Sequence, residues 1–297
     1  MLVRDLIQPF QLERSPVRGR LVRLGGALDS AFARHAYPEP VAALLAEATA
    51  LAAVLASGLK YDGIFTLQAQ GDGPVSLLLA DLTSTGDLRA YARYDADALA
   101  AAAIDPAAPF RALMGRGHLA FTVDQGPDTD RYQGITELDG DTLADCAQAY
   151  FRQSEQMDTA IILIGHGGDG AGRGAHAAAL TLQRLPGDTR QGAWDDEAQE
   201  DWRRAVVLMS TATPRELLDP AVGPADLLYR LFHEEGVRLF EERPLRHRCR
   251  CSRDRIRATL KSFDPAQVAD MAEDGAITVT CEFCRADYAF DPENLDA

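Results

Sequence analysis

Four cysteines near the C-terminal end carry the most specific chemistry in this 297-residue chain: Cys249-x-Cys251 and, after 29 intervening residues, Cys281-x-x-Cys284. Two tight thiol pairs joined by a segment long enough to fold back suit tetrahedral Zn²⁺, because each turn supplies two sulfurs. Thiolates are soft donors that select zinc over magnesium or calcium, with iron the less favoured alternative. The expected ligands are Cys249, Cys251, Cys281 and Cys284, with one Zn²⁺ per chain.

The charge around them fits. Seven bases, Arg246, Arg248, Arg250, Arg253, Arg255, Arg257 and Lys261, face one acid, Asp254, in a stretch where zinc with four thiolates would leave excess negative charge. These cations are expected to offset that charge and depress the thiol pKa values. The same run could also be the basic face of a zinc ribbon that binds nucleic acid. Against that reading stand a formal net charge of −15 and the lack of aromatic side chains beside the basic run on which bases could stack.

Energetics suggest what the metal is for. A module of roughly 50 residues rarely holds together on its own core, whereas structural zinc contributes on the order of 10–16 kcal/mol in small modules. Removing it should unfold the tail. A disulfide within Cys249-x-Cys251 would close a very small ring and gain little loop entropy, so it would be readily reduced again.

Other candidate chemistry is weaker. Gly165-His166-Gly167-Gly168-Asp169-Gly170 satisfies G-x-G-x-x-G after an apolar strand. No second parallel strand follows, so a flexible glycine-rich loop is favoured over a dinucleotide fingerprint and the oxidoreductase it would imply. Ser154 lacks a nucleophile elbow. His233-Glu234-Glu235 lacks the second histidine of a zincin. Cys146 reads as a buried thiol acting as a small hydrophobe. The chain is not expected to be an enzyme.

The elements that would position the cysteines give an α+β fold: a mixed α/β core domain with antiparallel sheet over residues 1–190, a helical linker over 191–245 and a small C-terminal zinc-binding domain over 246–297. In the core, strands are expected at 19–25, 64–70, 75–82, 88–94, 118–124, 131–138 and 159–164. Asp72-Gly73-Pro74 and Ser84-Thr85-Gly86-Asp87 make an antiparallel meander of three of them. Helices are expected over 40–57, ended by Gly58 in a left-handed conformation, and over 142–156. The linker carries both tryptophans, Trp194 and Trp202, and an amphipathic stretch in which Ala198, Trp202, Ala205, Val206 and Met209 share a face. It continues with a capping box at Thr213-Pro214-Arg215-Glu216 and a helix over 226–235 ended by Gly236. In the tail, a helix over 265–275 and strands at 277–280 and 288–290 flank the second cysteine pair. Charges at Arg4 and Asp5 argue against a signal peptide, and the Ala-rich stretch 41–57 reads as a buried helix rather than a membrane span. A cytoplasmic location is expected, with no membrane partner.

Several segments resemble a known family, the redox-regulated heat-shock holdases also called 33 kDa chaperonins. They are Cys249-Arg250-Cys251-Ser252-Arg253-Asp254-Arg255, Glu273-Asp274-Gly275, Val279-Thr280-Cys281-Glu282-Phe283-Cys284 and Tyr288-Ala289-Phe290. Upstream, Tyr150-Phe151-Arg152-Gln153-Ser154-Glu155-Gln156, Leu182-Gln183-Arg184-Leu185-Pro186 and Leu228-Tyr229-Arg230-Leu231-Phe232-His233-Glu234-Glu235 belong to the same likeness, which spans most of the chain. Asp254 stands where the family is expected to have glutamate. The resemblance implies an ATP-independent chaperone, inactive when reduced and zinc-bound. Oxidants with heat would form Cys249–Cys251 and Cys281–Cys284 disulfides, release zinc and unfold the linker. Unfolded or oxidatively damaged clients would then bind, with a homodimer as the active form.

Overall fold

In a computed structural model of the chain the described residues are 4–104, 109–126, 129–168, 174–185, 196–292 and 294–295. They form an α+β fold of two six-stranded sheets, a long helix between them and a small C-terminal hairpin module. Strands β1 (Leu6–Leu12) and β2 (Val17–Leu24) are followed by helices α1 (Gly26–Phe32) and α2 (Glu39–Ala56). The expected meander is β3 (Ile64–Gly71), β4 (Val75–Thr83) and β5 (Asp87–Tyr94), paired antiparallel. Helices α3 (Ala96–Ala101) and α4 (Pro109–Met114), strands β6 (Gly117–Asp124) and β7 (Tyr132–Glu137), helix α5 (Leu143–Gln153) and the hairpin β8 (Thr159–His166) and β9 (His176–Arg184) complete this part.

The connector contains α6 (Asp196–Ser210), α7 (Pro214–Leu218), α8 (Pro224–Phe232), a 3₁₀ turn over His233–Glu235, and short strands β10 (Val237–Leu239) and β11 (Arg243–Pro244). Trp194 lies outside the described residues. The tail holds β12 (Arg246–His247), α9 (Arg253–Leu260), α10 (Pro265–Asp270), β13 (Ile277–Thr280) and β14 (Asp287–Phe290). The first sheet runs β10-β1-β2-β9-β8, with β11 also on β1, and is antiparallel throughout. The second runs β12-β5-β4-β3-β6-β7, with β12 parallel to β5.

Pairing makes β2 two-faced. Val22 and Leu24 point into the core between the sheets, where α2 is apolar on nearly every side because both sheets cover it. Val17 and Leu21 point the other way, with Phe10, Leu12, Ala160, Ala178, Leu180 and Leu182, and the connector covers this outer face with Ala205, Met209, Leu217, Leu227, Leu228, Leu231 and Phe232. Phe10 lies over Gly19, where an added Cβ would fall 2.1 Å from its ring, and stacks on Phe232 at 5.7 Å. Only glycine leaves room for that contact between sheet and connector.

Several expectations change. Gly58 does not adopt a left-handed conformation: α2 ends through Ser57 in right-handed geometry, and the Gly58 N–H returns to the Leu55 carbonyl at 3.0 Å. A tight 3₁₀ closure satisfies the helix end without it. The tail helix stops at Asp270, since Asp274 and Gly275, both with positive φ, form a separate turn closed by pairing of Glu273 with Ala276. Two long strands beyond those expected, β1 and β9, lie in the first sheet. The capping box at Thr213 and Glu216 forms as expected, and Gly236 ends the connector's last helical turn at φ 71°.

Candidate metal centre and its docking face

The second cysteine pair occupies a hairpin loop. β13 and β14 pair from Ile277↔Phe290 to Thr280↔Asp287, and the turn between them closes with Cys281 N–H on the Ala286 carbonyl at 2.9 Å and Arg285 N–H on the Cys281 carbonyl at 2.8 Å. The first pair lies on the extended segment between β12 and α9. That segment ends at Ser252, the N-cap of α9, whose hydroxyl accepts from the Arg255 N–H. Folding brings all four cysteines together: the Sγ atoms of Cys249, Cys251, Cys281 and Cys284 lie within 4.8 Å of one another, and none is in a disulfide. Cys249 Sγ is 3.8 Å from Cys281 Sγ, and Cys251 Sγ is 3.4 Å from Cys284 Sγ.

Zinc–sulfur bonds of ~2.3 Å in a tetrahedron place ligand sulfurs ~3.8 Å apart, so this donor set fits the metal in number, element and spacing. The Tyr288 hydroxyl, 3.1 Å from Cys251 Sγ, can donate to a thiolate there and orient it. Burial pushes the Cys284 thiol well up, and the neighbouring Cys251, Cys249 and Cys281 sulfurs push it further. Four adjacent sulfurs oppose one another's ionisation, and a bound dication reverses that.

The arginines around the cysteines are engaged by acids, carbonyls and a ring. Arg250 Nη2 lies 2.5 Å from Asp81 Oδ2 on β4, a carboxylate that also takes Arg89 and the Thr66 hydroxyl. Arg246 and Arg248 both pair with Asp87 at the start of β5. Arg253 donates to the Ala289 carbonyl and covers the Phe290 ring, Arg255 donates to the Arg250 carbonyl, and Arg257 pairs with Asp254. The basic run therefore fastens the cysteine module to the second sheet and to itself. Phe283, between the cysteines of the second pair, is held by the Arg89 guanidinium 3.7 Å above its ring and by His35 Nε2, 3.0 Å from its carbonyl. Burial lowers the His35 pKa, which favours the neutral ring as the donor.

Asp87, Arg89 and His35 carry no signal in the sequence that marks them as docking residues. The available clue was Asp81 itself, an acid inside the apolar run Leu77-Leu78-Leu79-Ala80-Asp81-Leu82, where a carboxylate requires a buried partner.

The remaining candidates resolve as structure. β8 and β9 are antiparallel, with His166 opposite His176, so the glycine stretch opens no βαβ unit; Asp169 and Gly170 lie outside the described residues. Gly165 serves packing instead, since an added Cβ would fall 2.3 Å from the Ala43 carbonyl of α2. Ser154 is the C-cap of α5. In the 3₁₀ turn Glu235 is buried and pairs with Arg204 of α6. Cys146 is 1 % exposed, and burial lifts its thiol to about 11, so it stays protonated at neutral pH. Cys146→Ser is expected to leave oxidation of the four clustered thiols unchanged in a thiol count after peroxide; a large loss of oxidant response would show the thiol to be part of the chemistry.

A family model described as Hsp33 protein matches residues 5–291. The chain belongs to the Hsp33 family. It is 47% identical over 293 residues to the 33 kDa chaperonin of Caulobacter vibrioides (strain NA1000 / CB15N), covering 97% of this chain and 95% of that one. To the 33 kDa chaperonin of Ectopseudomonas mendocina (strain ymp) it is 40% identical, covering 98% and 94%. The crystal structure of the Thermotoga maritima 33 kDa chaperonin superposes with a TM-score of 0.79 at 23% identity, covering 98% of this chain and 97% of that chain. That likeness bears out the Hsp33 fold, and family membership makes the chain a chaperone.

Proposed function

We propose that the chain is a redox-switched, ATP-independent holdase of the cytoplasm whose sensor is a zinc centre on Cys249, Cys251, Cys281 and Cys284. The observation that carries this reading is the connector. It covers the outer apolar face of the first sheet and leads directly into the cysteine module: β10 and β11 lie on β1, β12 on β5, and Cys249 follows two residues later. Residues 1–190 then act as the client-binding core, 191–245 as the linker and 246–297 as the switch. Oxidation to Cys249–Cys251 and Cys281–Cys284 disulfides removes the thiolates that zinc needs. Loss of the folded module takes away the Arg246, Arg248 and Arg250 ion pairs that anchor the connector's end. An apolar sheet face of this extent, once uncovered, is a surface for unfolding or oxidatively damaged proteins and for a second copy of the chain. Engagement of the basic run by Asp81, Asp87 and backbone carbonyls argues against a nucleic-acid role.

Peroxide at raised temperature is expected to release one zinc per chain and to switch on suppression of client aggregation. Tryptic cleavage after Arg250 leaves Cys249 and Cys251 on separate peptides, so mass mapping reads the pairing. Equal suppression by reduced and oxidised protein would sink the switch.

A further inference from the structure

Between the two sheets, beside the C-terminal end of α2, lies a cavity of about 360 Å³, within the range of roughly 300–1,000 Å³ typical of small-molecule sites. Its walls divide by chemistry. Val54 and Leu55 of α2 with Phe65, Phe121 and Val123 of the second sheet make one side apolar. The other side is the inner face of the first sheet, where Arg18 and Arg20 of β2 stand in register with Gln183 and Thr181 of β9.

Among the described residues these arginines have no counter-ion. Arg20 is 8 % exposed, and its guanidinium makes one hydrogen bond there, to the neutral Gln183 Oε1 at 3.0 Å, and no ion pair. Its guanidinium carbon lies 3.4 Å from where a Cβ on Gly58 would stand, at the cavity's α2 edge. Arg18 Nε is buried without a partner. Burial, with repulsion from Arg18 and Arg243, lowers the Arg20 pKa to about 10. Glu155 at the rim is an acid within reach of the cavity, but it accepts from the Tyr132 and Tyr150 hydroxyls. Elsewhere the molecule treats arginine pairs differently: Asp81 lies under Arg89 and Arg250, and Asp87 under Arg246 and Arg248. A buried guanidinium such as that of Arg20, beside the half-buried Arg18 and without such a carboxylate, is unfavourable unless an anion comes from outside.

We propose that this cavity is a binding site for a small amphipathic carboxylate, its head on Arg18 and Arg20 and its apolar body against Phe65 and Phe121. Guanidinium groups match carboxylate geometry in a way a hydroxyl does not. The site lies on the face of β2 opposite the connector, so it is distinct from the surface assigned to clients.

The test uses the reduced full-length chain supplied with zinc, so that the connector stays in place, and titrates sodium decanoate and decanol calorimetrically. Decanoate is expected to bind once per chain and on the order of tenfold tighter than decanol, the value of one charge-assisted hydrogen bond. Arg18→Met and Arg20→Met should each remove that preference while leaving decanol binding unchanged. If Arg20→Met fails to fold, Arg18→Met, at a half-buried position, decides alone. Equal affinity for the two probes, no saturable decanoate binding, or binding that appears only after peroxide would overturn the proposal.

Discussion

Stripping zinc from the reduced chain with a chelator is expected to melt the cysteine module while both sheets stay folded. The module's own core is small: Leu260, Val268, Ile277 and Phe290 are its buried apolar side chains. A core of that size rarely holds a segment of roughly 50 residues together without a disulfide or a metal. A zinc held by the four thiolates would contribute on the order of 10–16 kcal/mol and would join the segment before α9 to the β13–β14 loop. The exposed Arg246 and Arg248 pairs on Asp87 are worth only ~0–1 kcal/mol each, and the more buried Arg250–Asp81 pair would be lost with the module's fold. Hydrogen exchange is the direct measurement. Amides of β13 and β14 should exchange freely after zinc removal, and those of β2 and β9 should stay protected. Retained protection in β13 and β14 without metal would show that the module folds on its own core, and the switch would then need another trigger.

How far the linear sequence foretold this arrangement depended on whether local chemistry decided the outcome. The four cysteines were legible because metal ligation imposes residue type and spacing directly. The meander β3-β4-β5 was legible because the turns between its strands carry glycine and aspartate. β9 was not, because Ala177-Ala178-Ala179-Leu180 is buried on both faces by α2 and the connector, which erases alternation. β1 was hidden by Pro9, which interrupts a strand pattern; in the fold Pro9 falls between the segments that pair with β10 and β11, and its carbonyl accepts from Phe240. The docking face was least legible of all. Asp81 and Arg250 are far apart in the chain, and nothing in the basic run tells that the Arg250 side chain reaches a carboxylate on β4. The same limit applied to Arg23, which stood in an expected strand without any assigned partner.

Arg23→Met is expected to activate the reduced chain without oxidation. Arg23 is 3 % exposed and points from β2 into the connector, donating to the carbonyls of Glu216 at 2.9 Å, Asp219 at 3.2 Å and Val222 at 2.5 Å. These carbonyls belong to α7 and the turn leading to α8, so one guanidinium closes the backbone of the connector's middle section against the sheet. Methionine keeps the apolar stem and removes the donors. Each buried carbonyl left without a donor costs about 1–3 kcal/mol, and the connector can recover that energy by moving out to water. A shift of about 2.7 kcal/mol already raises the open population by roughly a hundredfold. Because the cysteines lie far from this contact in the chain, zinc content should be unchanged while aggregation of a model client is suppressed and protease cuts appear within α7 and α8. Arg18→Met, on the opposite face of the same strand, is the control and should stay inactive when reduced. A reduced Arg23→Met protein that binds zinc, resists protease and leaves client aggregation untouched would show that the connector is held by its apolar anchors alone, and that uncovering the sheet requires loss of the cysteine module.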